Sequence, residues 1–295
     1  MSHRDTQPRH PPSTPPVPDL LATIVAATRQ SVEERARQCS RATLAREAAA
    51  VRPGGTRFHA ALTTGAGPRV IAECKRRSPS KGVLRPDYRP DRLAASYERH
   101  GAAAVSVLTE PTFFDGTLDH LRRVRAAVDL PILRKDFVVT SYQLLEAAAA
   151  GADAVLLIVA ALDDGELPRL LSEATALDLA VLVEVHSRPE LARAVDAGAT
   201  IIGVNNRNLR TLTVDLSASR TLITEMPESV VSVAESGLRI SADLVELGQA
   251  GYGAFLIGET FMSAPDPGER LGRLIDETRA LQSGHEPDRM PGEVT

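Results

Sequence analysis

Short apolar runs recur along the chain, and each is followed by a stretch with helical periodicity. Successive runs begin 20 to 34 residues apart, which leaves room for one strand, one helix and two short loops. We therefore predict eight strands, which begin near Val70, Ala104, Ile132, Ala154, Val181, Ile201, Val230 and Ala254.

The stretches between these runs predict helices over residues 91–99, 118–128, 142–149, 164–177, 189–196, 216–224, 241–249 and 269–281. Four corners between a helix and the next strand contain a glycine: Gly101, Gly151, Gly198 and Gly251. Glycine just past a helix adopts the left-handed conformation at little cost, so it ends the helix and turns the chain into the next strand. Such repeated corners indicate right-handed βα units and a parallel sheet.

Eight βα units over residues 70–283 predict an α/β fold, a (β/α)8 TIM barrel. An open doubly wound sheet is the alternative, but it usually has fewer strands and a glycine-rich loop after the first. Here a basic loop that starts at Lys75 follows the first strand.

The residues outside the barrel divide into three segments. Residues 19–69 predict a helical extension packed on the barrel, with helices over 20–48 and 57–62 that could cover its bottom or lean over its mouth. The first 18 residues contain six prolines and are expected to be a disordered extension. Residues 284–295 are expected to form a flexible tail.

Six of the apolar runs end on polar or charged residues. These endings are Glu73 with Lys75, Lys135-Asp136, Glu184, Asn205-Asn206-Arg207, Glu235-Ser236-Gly237 and Gly258-Glu259-Thr260. A buried strand has no need of a carboxylate or ammonium at its tip, whereas the carboxyl ends of barrel strands are where active sites form. The endings therefore predict one active site.

The first strand supplies a carboxylate and an ammonium side by side. Because alternate residues of a barrel strand point inward, Glu73 and Lys75 should share the inner face while Cys74 points away. Two such groups can keep each other charged in a partly dry site. The alternative is an ion pair that only stabilises the rim.

Two further strand ends suit proton transfer. Burial of Lys135 should weaken its preference for charge and make it a general acid near neutral pH, while Arg134 should point outward. Burial should raise the pKa of Glu184 and make it a proton acceptor. Alternatively, Lys135 pairs with Glu73 or Asp136 only to stabilise the barrel. His186 is interpreted as structural, because no other residue accompanies it at metal-ligand spacing.

Several loops suit an anionic ligand. Asn205 can bind a hydroxyl or carbonyl group, and Arg207 can bind a carboxylate through its planar fork. The basic, hydroxyl-rich loop after the first strand suits a phosphate or a carboxylate. Turns containing Gly237 and Gly258 follow the last two strands, where barrels often bind phosphate through backbone N–H groups, and residues 259–262 could form a helical turn there.

Composition excludes some classes of function. A net charge of −4 argues against nucleic acid binding, although local basic residues could still attract a small anion. Two cysteines, no apolar stretch near the ~20 residues of a membrane helix, and an N-terminus unlike a secretory signal predict a cytoplasmic protein. No Cys/His cluster indicates a metal, and no glycine-rich βαβ loop indicates a dinucleotide.

Taken together, five motifs resemble the indole-3-glycerol phosphate synthase family of tryptophan biosynthesis. They are Ile71-Ala72-Glu73-Cys74-Lys75-Arg76-Arg77-Ser78-Pro79-Ser80, Leu133-Arg134-Lys135-Asp136-Phe137, Val183-Glu184-Val185-His186, Gly203-Val204-Asn205-Asn206-Arg207-Asn208-Leu209 and Ala234-Glu235-Ser236-Gly237. The match runs from about Leu20 to the last predicted helix. The resemblance implies decarboxylating and dehydrating ring closure of 1-(2-carboxyphenylamino)-1-deoxyribulose 5-phosphate to indole-3-glycerol phosphate, which needs no cofactor.

The resemblance also implies roles for the strand-end residues. Lys135 would be the general acid on the substrate ketone. Lys75 would hold the anthranilate carboxylate and could act as an acid in a later step, with Asn205 and Arg207 nearby. Glu184 and Glu73 would stabilise the cationic intermediate and take the proton lost on dehydration. The division of steps among these acids and bases stays open.

The same resemblance implies two sets of binding residues and a lid. The phosphate would be held by Ser78, Ser236, Gly237, Gly258 and Glu259, with the Glu259 side chain pointing away. The apolar walls for the anthranilate ring would be Phe114, Leu133, Phe137, Leu209 and Pro79. Residues 109–116 would form a mobile lid that excludes water. A small phosphorylated substrate is the expected partner, and a monomer or weak dimer is expected.

Two rival functions fit a similar barrel. One is a related enzyme such as phosphoribosylanthranilate isomerase, but its chemistry needs one acid and one base rather than two lysines beside two glutamates. The other is a catalytically idle barrel kept as a binding or scaffold subunit. The presence of Lys135 and Glu184 argues against it.

Overall fold

The structure, a computed structural model, describes residues 19–208 and 211–284. The predicted N-terminal extension over residues 1–18, nearly all of the predicted tail, and Leu209 lie outside the described residues.

Eight parallel strands form a closed barrel, which confirms the predicted fold and excludes the open doubly wound sheet. The barrel strands are β1 Val70–Cys74, β2 Ala104–Leu108, β3 Ile132–Lys135, β4 Ala154–Ile158, β5 Ala180–Val185, β6 Ile201–Asn205, β7 Val231–Glu235 and β8 Ala254–Ile257. Each strand pairs with its neighbour in the sequence, and β1 pairs with both β2 and β8 to close the ring. Every predicted start lies within one residue of the observed one.

The helices alternate with the strands, after an N-terminal group of three. They are α1 Leu20–Gln38, α2 Arg41–Ala50, α3 Gly55–Thr63, α4 Pro90–Arg99, α5 Pro111–Phe114, α6 Leu118–Ala127, α7 Ser141–Ala149, α8 Glu166–Ala176, α9 Arg188–Asp196, α10 Ser217–Leu222, α11 Ser241–Ala250, α12 Glu259–Met262 and α13 Pro267–Gln282. Short 3-10 turns cover Val159–Ala161 and Ile223–Glu225. Within residues 19–208 and 211–284, no helix is long and apolar enough to cross a membrane.

The single helix predicted over residues 20–48 is wrong, because the chain breaks between α1 and α2. Cys39 is extended, with φ −128° and ψ 117°, so it ends α1. Ser40 then begins α2, since its hydroxyl accepts a hydrogen bond from the Thr43 backbone N–H at 3.2 Å. Helical periodicity continues across the break and conceals it.

The four glycine corners have the predicted left-handed conformation, with φ between 81° and 119°. They set the end of one helix and the start of the following strand, which explains why the strand starts could be read closely from the sequence.

The N-terminal helices cover both ends of the barrel. At the mouth, Ile24 of α1 packs in one apolar cluster with Phe137. At the bottom, Phe58 and Leu62 of α3 belong to the same inner cluster, and the Gly55 backbone N–H donates to the Asp178 carbonyl ahead of β5. Both positions considered for the extension are therefore occupied, each by a different helix.

The Phe58→Ala variant tests whether α3 is an integral part of the core. Phe58 is completely buried, so removing its ring should leave a cavity and lower the free energy of unfolding by about 3–5 kcal/mol. Urea denaturation measures the change. Leu281→Ala, on the exposed end of α13, is the control and should change it by about 0.5 kcal/mol or less. Equal effects would exclude a core role for α3.

Candidate active site

Charged side chains at the strand ends extend the inner layer of the barrel toward its mouth. Along β1, β3, β5 and β7, the inward apolar residues Ile71, Leu133, Leu182 and Val233 are each followed two positions later by Glu73, Lys135, Glu184 and Glu235. These four charged residues line one cavity, together with Lys75. Strand alternation therefore brings the predicted acids and bases to one site.

Lys135 stands among three carboxylates. Its Nζ donates to Glu184 Oε2 at 3.1 Å and lies 3.7 Å from Glu235 Oε2. Burial alone would lower the pKa of Lys135, but attraction to Glu184, Glu235 and Glu73 raises it above its ordinary value. The prediction that burial would weaken its charge is therefore wrong in direction. Of the two partners considered in the alternative interpretation, Glu73 contributes to this attraction and Asp136 does not.

Glu184 shows the complementary correction. It is 1% exposed, and burial would raise its pKa as predicted. The charges of Lys135 and His186, with a hydrogen bond from Asn205, lower the pKa below its ordinary value instead. Glu184 is therefore ionised at neutral pH, which suits a carboxylate that stabilises positive charge.

Glu235 is one of the predicted strand endings, but no role in the site is predicted for it from the sequence. It is 1% exposed, and neither carboxylate oxygen accepts a hydrogen bond from any described residue. Burial and repulsion by Glu184 raise its pKa to about 8, against the attraction of Lys135. Its position at the tip of β7, like Glu184 at the tip of β5, was the available signal.

Two glycines make room for these buried carboxylates. A Cβ atom on Gly203 of β6 would lie 2.0 Å from Glu235 Oε1, and one on Gly258 would lie 2.2 Å from Glu73 Oε1. Any side chain at either position would displace a carboxylate of the site. Gly258, predicted for phosphate binding, thus also contributes to the packing of Glu73.

Glu73 and Lys75 share the inner face of β1, as predicted. Lys75 Nζ donates to Glu73 Oε1 at 2.5 Å, while Cys74 packs in the outer cluster between strands and helices. Lysine is rare in this chain, which has 34 lysine and arginine residues but only three lysines. All three, Lys75, Lys81 and Lys135, lie at the mouth of the barrel. The location of all three lysines at one end of the barrel is a second indication, besides the strand endings, of where the site lies.

Arg134 points outward, as predicted, yet it is buried in a network behind the site. Its guanidinium contacts Asp136 at 2.8 Å and Glu146 of α7 at 3.3 Å. Arg35 of α1 contacts the other oxygen of Glu146 at 2.5 Å. Asp136 also accepts a hydrogen bond from the Thr109 hydroxyl at 2.6 Å. The network therefore ties α1, α7 and the loop after β2 to the strand end that carries Lys135.

The turns after β7 and β8 face the same cavity. Ser236 and Gly237 are consecutive left-handed residues, with φ 65° and 83°, and both line the cavity with Gly258 and Glu259. Consecutive backbone N–H groups in such turns can bind an anion. Residues Glu259–Met262 form the predicted helical turn.

The Glu259 carboxylate, which is expected to point away from a bound phosphate, pairs with basic side chains of two neighbouring loops. It lies 3.0 Å from Arg207 Nη2 and 3.6 Å from Lys81 Nζ. Arg207 also donates to the Leu212 carbonyl at 3.0 Å and to the Ser80 hydroxyl at 3.4 Å. Glu259 thus holds two cationic side chains together beside the turn.

Three of the residues predicted as apolar walls, Phe114, Phe137 and Pro79, line the cavity or its outer part. Phe114 and Phe137 line the cavity with ring centroids 6.2 Å apart, and Pro79 and Ser78 line its outer part with Leu20 and Ile24. Leu133 is wrong as a wall residue, because it is fully buried in the inner layer one step below Lys135 and does not line the cavity. Ser78 is 6% exposed, and its hydroxyl accepts the Lys81 backbone N–H at 3.2 Å.

The predicted lid over residues 109–116 contains α5. The Glu110 carboxylate accepts hydrogen bonds from the backbone N–H groups of Thr112, Phe113 and Phe114, which caps this short helix. At its other end Asp115 pairs with Arg76 at 2.5 Å and Arg77 at 3.7 Å, in the loop after β1. The loops after β1 and β2 are therefore joined over the mouth.

A model of the family described as indole-3-glycerol phosphate synthase matches residues 21–274, which include all the strands and charged residues of this site. The chain belongs to this family.

Named relatives agree with this assignment. An indole-3-glycerol phosphate synthase of Albidiferax ferrireducens is 53% identical over 208 residues, 70% of this chain and 79% of that protein. One of Polaromonas is 46% identical over 260 residues, 87% of this chain and 98% of that protein. Indole-3-glycerol phosphate synthase 1 of Streptomyces coelicolor is 47% identical over 267 residues, 90% of this chain and 98% of that protein.

Solved structures outside the indole-3-glycerol phosphate synthase family share the barrel. A thiamine phosphate pyrophosphorylase from Pyrococcus furiosus has a TM-score of 0.54 at 19% identity, over 71% of this chain and 96% of that one. A mandelate oxidase variant has a TM-score of 0.55 at 18% identity, over 74% of each chain. At these identities the likeness shows the fold alone.

The Glu235→Gln variant tests whether this carboxyl holds a proton in the folded protein. Folding raises the pKa of Glu235 from 4.5 to about 8. Between these two pH values the folded chain therefore keeps a proton on Glu235 that the unfolded chain has released. The contribution of Glu235 to stability is therefore present below pH 4.5 and lost as pH rises toward 8. Relative to Glu235→Gln, the wild type should lose free energy of unfolding across this range, measured by urea denaturation.

Glu246→Gln is the matched control. Glu246 is exposed and its pKa is lowered by Arg220, so its titration lies below this pH range. Above pH 5 the free energy of unfolding of Glu246→Gln should change with pH in the same way as that of the wild type. If the wild type and Glu235→Gln lose stability in parallel between pH 4.5 and 8, Glu235 is ionised in the fold.

Proposed function

We propose that this chain catalyses ring closure of 1-(2-carboxyphenylamino)-1-deoxyribulose 5-phosphate to indole-3-glycerol phosphate, with loss of carbon dioxide and water, in tryptophan biosynthesis. One observation carries the proposal: Lys135, Lys75, Glu73 and Glu184 meet in one cavity at the carboxyl ends of the strands. Membership of the family gives this acid–base cluster its substrate.

Lys135 is the proposed general acid on the substrate ketone. Its carboxylate neighbours keep it protonated, so a proton is available on Nζ when the ring carbon attacks and negative charge develops on the ketone oxygen. Donation to the ketone leaves a neutral amine among carboxylates. Glu235, which lies 3.7 Å away and has a pKa of about 8, is placed to return a proton.

Glu184 and Glu73 are the proposed stabilisers of the cationic intermediate. Glu184 is 1% exposed and Glu73 is 4% exposed, so their charges act through a partly dry site rather than through water. After decarboxylation, one of them takes the ring proton that is lost on dehydration, and Lys75, the proposed acid of this later step, protonates the hydroxyl group that leaves as water. Asn205, whose carboxamide contacts the Glu184 carboxylate, keeps that group in place.

The two anionic ends of the substrate need separate sites. Lys75 and Arg207 are proposed for the anthranilate carboxylate. Ser78 lines the outer part of the cavity with these two cations, and its predicted role in phosphate binding stays a prediction. The turns that contain Ser236, Gly237, Gly258 and Glu259 are proposed for the phosphate. The ring then lies between them, against Phe114 and Phe137.

The remaining expectations concern the protein in the cell. Its two cysteines, Cys39 and Cys74, are free, which agrees with the proposed cytoplasmic location. A monomer or weak dimer that binds no nucleic acid stays a prediction, as do the boundaries proposed for the extension, the barrel and the tail.

Substitution of Lys135 tests the acid role. Lys135→Met should abolish formation of indole-3-glycerol phosphate, followed by indole fluorescence, because the proton donor is lost while the phosphate turns remain. The absence of tryptophan from the chain makes this signal clean. Substrate binding should persist.

Lys135→Arg separates proton donation from charge. It keeps a cation among the carboxylates but does not release a proton near neutral pH, so it should also be inactive. Arg169→Met, which removes an exposed cation of α8, should keep normal turnover. Activity of Lys135→Arg close to that of the wild type would exclude Lys135 as the acid.

Ser236→Ala tests the phosphate turn. Loss of one hydrogen bond to a charged group should weaken substrate binding by about 1–2 kcal/mol, seen as a higher KM with little change in kcat. Ser217→Ala, on the exposed start of α10, should leave both constants unchanged. A lower kcat at unchanged affinity would contradict the assignment.

A further inference from the structure

The two oxygens of the Glu184 carboxylate face different cations. Oε2 accepts a hydrogen bond from Lys135 Nζ at 3.1 Å, and Oε1 lies 3.5 Å from His186 Nε2. His186 does not line the cavity, but its Nε2 atom is buried and has no hydrogen-bond partner among residues 19–208 and 211–284. A buried polar atom directed at the proposed stabiliser of the intermediate requires an explanation.

Glu190 of α9 fixes the other side of the imidazole. Its Oε2 accepts the His186 backbone N–H at 2.8 Å and lies 3.3 Å from Nδ1, while its Oε1 accepts the Ser187 hydroxyl at 3.1 Å. Glu190 is therefore held by three groups and favours a proton on Nδ1. A carboxylate in this position sets the tautomer and orientation of a histidine.

The protonation state of Nε2 then determines how the His186 ring interacts with Glu184. Without a proton on Nε2, a ring lone pair faces the negative Glu184 oxygen; with it, an imidazolium faces a carboxylate. Among the described residues, the charged groups that act on His186 are Glu184, Glu190 and Lys135. Burial would lower the pKa of His186, but Glu190 and Glu184 raise it above its ordinary value.

We propose that His186 is a positioning residue, held by Glu190, which orients the Glu184 carboxylate through a charged contact at Nε2. A row of side chains with alternating charge leads from the surface of α9 to the cavity: Glu190, His186, Glu184 and Lys135. It holds Glu184 from both sides before substrate arrives. The proposal rests on the proposed function, because Glu184 acts on the intermediate there.

Two substitutions separate the ring nitrogens. Gln at position 186 places an amide nitrogen near the position of Nε2, whereas Asn places its amide near Nδ1. We expect His186→Asn to lower kcat for indole-3-glycerol phosphate formation by about 10-fold or more with KM changed less than about twofold, and His186→Gln to lose less. Equal loss in both variants, or none, would overturn the contact at Nε2.

The pH profile of kcat gives a readout that packing alone would not change. Because the contact needs a protonated ring, activity should decline as pH rises through the pKa of His186. Glu190→Gln removes a carboxylate that stabilises the imidazolium, so this decline should move to lower pH. In His186→Gln this decline should disappear, and only the loss of activity that follows ionisation of Glu235 near pH 8 should remain. An unchanged profile in both variants would overturn the proposal.

His59→Gln is the matched control, since His59 lies on α3 at the opposite end of the barrel, and its profile should equal that of the wild type. If His186→Asn fails to fold, as judged by urea denaturation, Glu190→Gln decides. The experiment distinguishes failure of the proposed function from failure of the proposed role of His186. An inactive wild type contradicts the proposed function. An active wild type whose His186 and Glu190 variants have the same kcat and pH profile contradicts only the role of His186.

Discussion

The site depends on the ammonium group of Lys135, which is balanced against three buried carboxylates. Lys135 is 15% exposed, and two of those carboxylates are almost fully buried, so none of these charges is stable alone. Attraction and repulsion among these charges give two glutamates of the site different pKa values. Glu184 is ionised, while Glu235 has a pKa of about 8. The barrel therefore differentiates its glutamates through their neighbours rather than through their residue type.

The surrounding fold maintains this balance in two ways. Gly203 of β6 has no side chain, and the Glu235 carboxylate of β7 occupies the space that this leaves. Glu235 can therefore be buried here only because position 203 is glycine. Behind β3, Arg134 connects Asp136 to Glu146 and, through Arg35, to the N-terminal helix. The extension is thus linked to the strand that carries Lys135 by charged contacts as well as by apolar packing.

The sequence predicts the barrel well because its signals are local. Each apolar run and each glycine corner carries its own physical reason, so the strand starts agree within one residue. The pKa directions of Lys135 and Glu184 were wrong because the largest charge effects on both residues come from partners on other strands. Leu133 was misplaced because depth along the barrel axis cannot be read from alternation, which distinguishes only inside from outside. Glu235 was overlooked beside the turn that it precedes.

The distribution of lysine has a practical consequence. Arginine and histidine supply every other basic side chain, so the side-chain amines of the chain are Lys75, Lys81 and Lys135 at the barrel mouth. Acylating or reductively alkylating reagents, which usually decorate the outside of a protein, are here directed to the catalytic end. Surface immobilisation through amines would orient the molecule with its entrance blocked, whereas exposed carboxylates and arginines also lie on the outer helices, so coupling through them would not select this end.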